Sequence, residues 1–326
     1  MLISSSTIMK KVVDLAEKAS KYPVDILIFG ETGCGKELLA RHIHETRFNN
    51  TEIKGKFVGI NCAALPPGLL ESELFGYKRG AFTGAYTNKK GIMEEAGVGS
   101  LLLDEIGEMP MELQPKLLRV LDTKVFSRLG DTDSIKFKAK IISTTNANLA
   151  NSSIFRPDLY FRLSAIVINI PPLKERPDDV ISLTNYILGK IVEDFGLNTF
   201  PEIDKDIYNI LLSYSWPGNV RELQNMLKRA IILGDGYLKI EIIEEIIEYN
   251  SNFFNLDRLP YKKNNNNIFI WKTKNNNYDL KTAEKDIGKH LVKSIIESNP
   301  GISYANIANK LGICAVTLNK RFKKYL

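Results

Sequence analysis

A phosphate-binding loop near the N-terminus limits the fold of this chain more than any other feature. The loop reads Gly30-Glu31-Thr32-Gly33-Cys34-Gly35-Lys36 and lies between an apolar run, residues 25–29, and a helical pattern. In such a strand–loop–helix unit, glycines let backbone N–H groups turn toward phosphates, and the lysine and the helix N-terminus add positive charge. The sequence therefore predicts an α/β domain that binds a nucleoside triphosphate through this loop.

A second apolar run supplies the other half of a nucleotide site. Residues 100–103 are Ser and three Leu, and the acids Asp104 and Glu105 follow them. Asp104 is expected to hold Mg²⁺, directly or through water, and Glu105 to polarise the attacking water as a general base. Two solvated acids at a strand end are the alternative. With the phosphate loop upstream, the pair predicts an ATPase that uses ATP and Mg²⁺.

Strands and helices alternate in the first half of the chain, and helices alone follow. Apolar runs at residues 25–29, 100–104, 139–144 and 166–170 predict a mostly parallel sheet. Residues 178–247 have helical periodicity, which predicts a smaller helical lid, with Asn219 as the N-cap of one helix and Glu222 three residues later. The predicted domains are 1–170 (α/β), 171–248 (lid), an Asn-rich linker at 249–279, and an all-α unit at 280–326.

Charge and cysteine content restrict the compartment and the partners. Residues 252–326 hold 14 Lys and Arg against 5 Asp and Glu, so this quarter carries the whole positive excess of the chain. That asymmetry favours a polyanion such as DNA, although a solvated basic face would have the same charge. The three cysteines have no metal-ligand spacing, and no apolar run approaches the roughly 18 residues that span a bilayer. We expect a cytoplasmic protein without a zinc site.

A hexapeptide between the two halves of the site carries most information about function. It reads Gly80-Ala81-Phe82-Thr83-Gly84-Ala85, which has little to bury and predicts a mobile loop tip with Phe82 placed to touch a partner. With this motif, residues 1–245 resemble the bacterial enhancer-binding activators of sigma-54 RNA polymerase, the NtrC type. The segments at residues 73–76, 171–176 and 216–223 match that family as well. The resemblance implies an AAA+ ATPase whose hexapeptide loop engages the sigma factor.

The resemblance also implies roles for further residues. Asn61 matches the position that hydrogen-bonds the catalytic glutamate, and Asn146 matches a sensor of the γ-phosphate, although an Asn there could be only a turn former. Arg156 and Arg162 match arginine fingers that reach a neighbouring subunit, with structural salt bridges as the alternative. Hexameric rings are the rule in the family. Two further matches complete the implied nucleotide site: Arg221 corresponds to a second sensor in the lid, and Glu37 stands where many phosphate loops have Ser or Thr but this family commonly has Glu.

The C-terminal unit resembles the family's Fis-type helix-turn-helix. Its recognition helix, residues 314–324, would read a palindromic upstream site, with four side chains available to bases or phosphates: Thr317, Asn319, Lys320 and Arg321. Cys314 and Ala315 stand where relatives usually have Ser and Arg, so one DNA contact is missing. A small helical dimerisation module is the alternative.

These motifs predict an ATP-hydrolysing transcription activator that binds enhancer DNA, forms a ring and remodels the sigma-54 polymerase. One rival is a regulator of the ordinary polymerase that uses its ATPase core for oligomerisation, and another is a protein-remodelling or motor ATPase of the wider AAA+ class. Because the ATPase pattern starts near Thr7, we expect no N-terminal regulatory domain. A separate protein, the expression level, or a part of the protein outside this chain would then control activity.

Overall fold

The computed structural model describes residues 3–49, 55–149, 153–197 and 199–254. Most of the predicted linker and all of the predicted helix-turn-helix, residues 280–326, lie outside the described residues. The predictions for Thr317, Asn319, Lys320 and Arg321 therefore stay predictions.

Five parallel strands form the central sheet: β1 Ile26–Phe29, β2 Phe57–Asn61, β5 Ser100–Asp104, β8 Lys140–Thr145 and β9 Ile166–Asn169. Their order in the sheet is β2-β5-β8-β1-β9. The four strands expected from apolar runs are confirmed. The apolar pattern of β2 does not identify it as a strand, because Gly59 interrupts that pattern. A Cβ on Gly59 would lie 3.2 Å from the Leu102 side chain, a tight contact that glycine relieves.

Alternating side chains of the strands face two separate apolar clusters. The helices of this part span α1 Thr7–Ser20, α2 Lys36–Phe48, α3 Pro67–Phe75, α4 Ile92–Glu95, α5 Gln114–Thr123 and α6 Pro157–Leu163. Ile26 and Ile28 pack with α1 and α2 on one face, whereas Leu27 points to the opposite face, with α3, α5 and α6. Two short antiparallel ribbons, β3 Gly76–Tyr77 with β4 Lys89–Lys90 and β6 Val125–Phe126 with β7 Ile135–Lys136, lie outside the main sheet. The result is the predicted α/β layer.

Four helices form the lid and have an apolar cluster of their own. They span α7 Pro177–Phe195, α8 Lys205–Ser213, α9 Asn219–Leu233 and α10 Ile240–Phe254. Trp216 is buried in this cluster, and its indole N–H donates to the Leu211 carbonyl at 2.8 Å. The helical periodicity of this part is thus confirmed. Among the described residues, no helix combines the length and apolar character needed to cross a membrane.

A buried carboxylate ties the N-terminal segment to the lid. Asp179, in the first turn of α7, is fully buried, and its Oδ1 accepts the backbone N–H groups of Ser5 and Ser6, both at 2.7 Å. The Ser6 hydroxyl donates to the other oxygen at 3.0 Å, and Arg176 lies 3.7 Å away. Ser6 itself caps α1, so one side chain joins α1 to the lid.

Replacing Asp179 with Ala should lower the free energy of unfolding by about 3–5 kcal/mol, because the buried Arg176 guanidinium would lose the one carboxylate that pairs with it among the described residues. The neighbouring Asp178 is exposed, so Asp178→Ala should cost less than about 1 kcal/mol. Urea unfolding of both variants measures the difference. Equal losses would contradict the role given to Asp179.

Candidate nucleotide-binding and catalytic site

The carboxyl ends of three neighbouring strands bring the predicted site residues together. The phosphate loop follows β1, Asp104 ends β5, and Asn146 follows β8; in parallel α/β sheets, this edge is where ligands bind. The register pairs Phe29 with Thr145 and Asn61 with Asp104. Residues distant in sequence thus meet at one edge.

Lys36 is aimed into the loop rather than toward solvent. It is the first residue of α2, only 7% exposed, and its ammonium donates to the Gly30 carbonyl at 2.9 Å. The same nitrogen lies 3.2 Å from Oε1 of Glu105. Gly35 has a φ of 106°, which L side chains rarely adopt, so the turn into the helix needs glycine. The loop therefore presents a positive charge next to the predicted general base.

Asp104 is fixed by one hydrogen bond to each carboxylate oxygen. Thr144 Oγ1 donates to Oδ1 at 2.5 Å, and Asn61 Nδ2 donates to Oδ2 at 2.9 Å. The resemblance predicted that Asn61 bonds the catalytic glutamate; the structure instead pairs it with the preceding acid. The reason is the strand register, which sets Asn61 directly beside Asp104.

Glu105 lies between Lys36 and the end of strand β8. Its backbone has a φ of 49°, and its N–H donates to Thr144 Oγ1 at 3.1 Å. Its Oε2 accepts the Asn146 backbone N–H at 3.3 Å, while the Asn146 side chain donates to Thr32 Oγ1 at 3.2 Å. The glutamate is thus held at the mouth of the loop, and Asn146 spans from it to the loop.

The oxygen ligands at this edge suit a magnesium ion. Each Asp104 oxygen accepts one hydrogen bond and keeps a free lone pair, and a hard divalent cation prefers such oxygens. Asp104 is therefore the residue that would hold Mg²⁺. Glu37, at the position after the lysine, is exposed and lies 3.5 Å from Arg41 Nη2.

Two thiols at the site are unsuited to chemistry of their own. Burial raises the pKa of Cys34, in the loop. Burial, together with the Asp104 and Glu105 charges, raises the pKa of Cys62 to about 12. Both stay protonated at neutral pH, so neither is a nucleophile.

The lid contacts the loop through a residue whose predicted role was wrong. Asn219 does not cap α9: it is fully buried, its φ is 53°, and its Oδ1 accepts the Leu173 N–H at 2.7 Å. Its amide group donates to Glu31 Oε2 at 3.0 Å and to the Thr32 carbonyl at 3.2 Å. Glu222 does serve the helix start, since it accepts the Gly218 N–H at 2.8 Å. The Arg221 side chain is exposed beside the loop.

Both predicted arginine fingers form ion pairs within the protomer. Arg156 is bound to Asp158 by two hydrogen bonds, at 2.7 and 3.0 Å. Arg162 lies 3.1 Å from the buried Asp25 and 3.2 Å from Asp122, and it donates to the Leu121 carbonyl at 2.7 Å.

The hexapeptide forms a closed loop at the tip of the β3–β4 ribbon. The Gly80 N–H donates to the Ala85 carbonyl at 2.8 Å. Phe82 is 46% exposed, and its ring lies edge-on to Tyr77 with centroids 5.0 Å apart. Phe82 is therefore partly packed on its own chain, whereas Thr83 is exposed as expected.

A second loop, residues 127–134 between β6 and β7, supports the hexapeptide from one side. Leu129 bridges to Tyr77, and a Cβ on Gly130 would lie 2.8 Å from that of Ala81. Lys78 lies 2.6 Å from Asp131, which sets the base of the hexapeptide loop.

Two family models together match almost all of the described chain. The sigma-54 interaction domain matches residues 2–169, and an AAA+ ATPase lid domain matches residues 174–252. Among similar proteins, the regulatory protein AtoC of Escherichia coli is 36% identical over 99% of this chain and 67% of its own length. A signal-transduction and transcriptional-control protein of Clostridium beijerinckii is 41% identical over 99% of this chain, and the formate hydrogenlyase activator FhlA of E. coli is 44% identical over 72%. The chain spans 48% and 34% of the length of these two relatives.

Solved structures agree with this assignment. NtrX from Brucella abortus, crystallised with ADP, superposes with a TM-score of 0.73 at 31% identity over all of this chain and 69% of its own; NtrX was also crystallised with ATP.

Proposed function

Because the chain belongs to the sigma-54 interaction domain family and matches an AAA+ ATPase lid, we propose that it activates transcription by remodelling sigma-54 RNA polymerase with the energy of ATP hydrolysis. The AAA+ ATPase assignment itself follows from the family. The further steps of the proposal are the ring, the enhancer DNA and the contact made by the hexapeptide. In this proposal, residues 1–170 and 171–248 form the ATPase, and residues 249–279 connect it to a DNA-binding unit at 280–326. Helix α10 of the lid continues to Phe254, so the first six residues of this connection are helical.

The proposed hydrolysis uses the acids and the lysine at the sheet edge. Lys36 would bind the β- and γ-phosphates, whose oxygens compete with Glu105 for its ammonium group. Glu105, released from that pair, would take a proton from the attacking water. Asp104 would hold Mg²⁺, which would neutralise phosphate charge. Asn146 donates its backbone N–H to Glu105 and its side-chain amide to Thr32. From this position it would sense the γ-phosphate.

The observation that carries the sigma-54 proposal is the intact hexapeptide, residues 80–85. Thr83 and Phe82 are exposed at the tip of a ribbon that begins directly at the end of α3. Exposed apolar and hydroxyl side chains on a positioned loop suit a protein contact. Regulators that control the ordinary polymerase tend to have degraded hexapeptides or catalytic motifs, and this chain has both intact.

The proposal predicts a complex that a sizing column can detect. The full chain would be mixed with sigma-54 and an ADP–metal fluoride, which mimics the transferring phosphoryl group. We expect sigma-54 to elute with a ring-sized species, and Thr83→Ala to abolish that co-elution. Thr87→Ala makes the same change on an exposed residue just outside the hexapeptide and should leave the complex intact. A ring that ignores sigma-54 would keep the ATPase and favour the rival regulators or remodelling ATPases.

A further inference from the structure

A phosphate loop has an inner and an outer side. Because the N–H and C=O of a trans peptide point in opposite directions, N–H groups turned toward phosphate leave their carbonyls on the outside of the loop. Those carbonyls need donors where they are shielded from water. What binds the outside therefore helps to set the direction of the N–H groups inside.

Here the lid supplies donors to three successive carbonyls of the loop. Asn219 Nδ2 donates to the Thr32 carbonyl at 3.2 Å, and the Arg221 backbone N–H donates to the Gly33 carbonyl at 3.3 Å. Arg176 Nη2 donates to the Cys34 carbonyl at 2.8 Å. The three donors come from two segments of the lid, the start of α7 and the start of α9.

The backbones of loop and lid are also in direct steric contact. A Cβ on Gly33 would lie 2.4 Å from the Gly218 carbonyl oxygen and 3.0 Å from the Arg221 Cβ, and the φ of Gly33 is 78°. Position 33 therefore requires glycine for two reasons, the close contact with the lid backbone and the positive φ of the turn.

The two side-chain donors are costly for the fold, which suggests that they serve the site. Arg176 is 2% exposed, and its Nε is a buried donor that has no hydrogen-bond acceptor among the described residues. A buried guanidinium that is incompletely paired lowers stability, so packing alone does not account for it. Asn219 is fully buried with a left-handed backbone, and two of the three hydrogen bonds of its side chain go to the loop.

We propose that the lid holds the phosphate loop in its binding conformation through these three carbonyls, with Asn219 and Arg176 as positioning residues for the nucleotide. Neither residue needs to touch the nucleotide for this role. The inference concerns the ATPase and holds whether or not sigma-54 is the partner.

One substitution separates the hydrogen bonds that Asn219 makes to the phosphate loop from the one that it makes to Leu173. Asn219→Asp keeps an oxygen that accepts the Leu173 N–H but removes both donors and places a carboxylate near Glu31 and the Thr32 carbonyl. We expect ADP to bind about tenfold more weakly, because the partly buried hydrogen bond to the Thr32 carbonyl is lost. The KM for ATP should rise by a similar factor, with a smaller change in kcat.

Controls distinguish positioning from a general loss of stability. Leu211→Ala opens a cavity in the lid core and should lower the melting temperature at least as much, yet leave ADP affinity unchanged. Arg176→Lys keeps a charge and a donor, and should weaken ADP binding less than Arg176→Ala. ADP affinity of Asn219→Asp within twofold of the unmodified chain would overturn the proposal, as would an equal loss in Leu211→Ala.

A measurement on the unmodified chain serves if these variants fail to fold. Native-state hydrogen exchange would follow the Leu39 amide, which donates to the Gly35 carbonyl at the loop end, and amides inside α9. If the lid holds the loop, both should open with the same free energy as urea is added. A Leu39 amide that stays protected after α9 has opened would contradict the proposal.

Discussion

Replacing Glu105 with Ala should slow ATP turnover by about 10²–10⁴-fold, the range that a positioned general base contributes. The carboxylate is held at the loop mouth by Lys36 at 3.2 Å and by the Asn146 N–H at 3.3 Å, so its loss removes the acceptor for the proton of water. Nucleotide binding should persist, because the loop and Lys36 remain. Phosphate release and the binding of a fluorescent ADP measure the two effects separately.

Glu108 offers a matched control for this prediction. It is an exposed glutamate three residues along the chain, so Glu108→Ala should hydrolyse ATP at the rate of the unmodified protein. Retained turnover in Glu105→Ala would reject the assignment of the base. A parallel loss of ADP binding would instead show that Glu105 mainly organises Lys36.

Arg162→Ala should reduce ATP turnover by about 10³–10⁵-fold if the side chain acts as an arginine finger. Within the protomer, however, Arg162 binds Asp25 and the Leu121 carbonyl, which is also what a structural residue would do. Asp25→Asn weakens the same ion pair and keeps the arginine. A finger predicts near-normal turnover in Asp25→Asn, whereas a structural pair predicts similar losses in both variants.

Mixing two inactive proteins tests whether catalysis is shared between subunits. In a mixed ring, some sites would combine the intact Glu105 of an Arg162→Ala subunit with the intact Arg162 of a Glu105→Ala neighbour. ATP turnover should then reappear on mixing, although each variant alone is inactive. No recovery in rings shown to be mixed would contradict a finger supplied by the neighbouring subunit.

Local patterns predicted the parts of the fold that local interactions determine. The run at residues 100–104 became β5 with the same bounds, and α9 spans Asn219–Leu233 as its periodicity indicated. Buried strands and amphipathic helices can be predicted from a short segment, because the spacing of its apolar side chains decides which face is buried. The β2 strand was not predicted because Gly59 interrupts its apolar pattern, and the tight contact of this position with Leu102 cannot be read from its own segment.

Side-chain partners were harder to predict than elements, because they depend on the packing of distant segments. Asn61 pairs with Asp104 rather than Glu105 through the register of two strands. Asn is a residue type typical of helix N-caps, but the side chain of Asn219 hydrogen-bonds the phosphate loop and Leu173 instead. Arg176 lies in the segment 171–176 that matches the family, and nothing in its neighbourhood in sequence points to the Cys34 carbonyl.

The left-handed backbone of Glu105 implies that this residue lowers the stability of the fold while it supports ATP hydrolysis. A φ of 49° at a non-glycine residue costs of order 1 kcal/mol, a cost that glycine would avoid. Selection for folding alone would therefore favour glycine at this position, and selection for hydrolysis opposes it. If variants of this protein were selected for heat resistance alone, without a test of activity, glycine should accumulate at position 105. These variants would lose ATP hydrolysis.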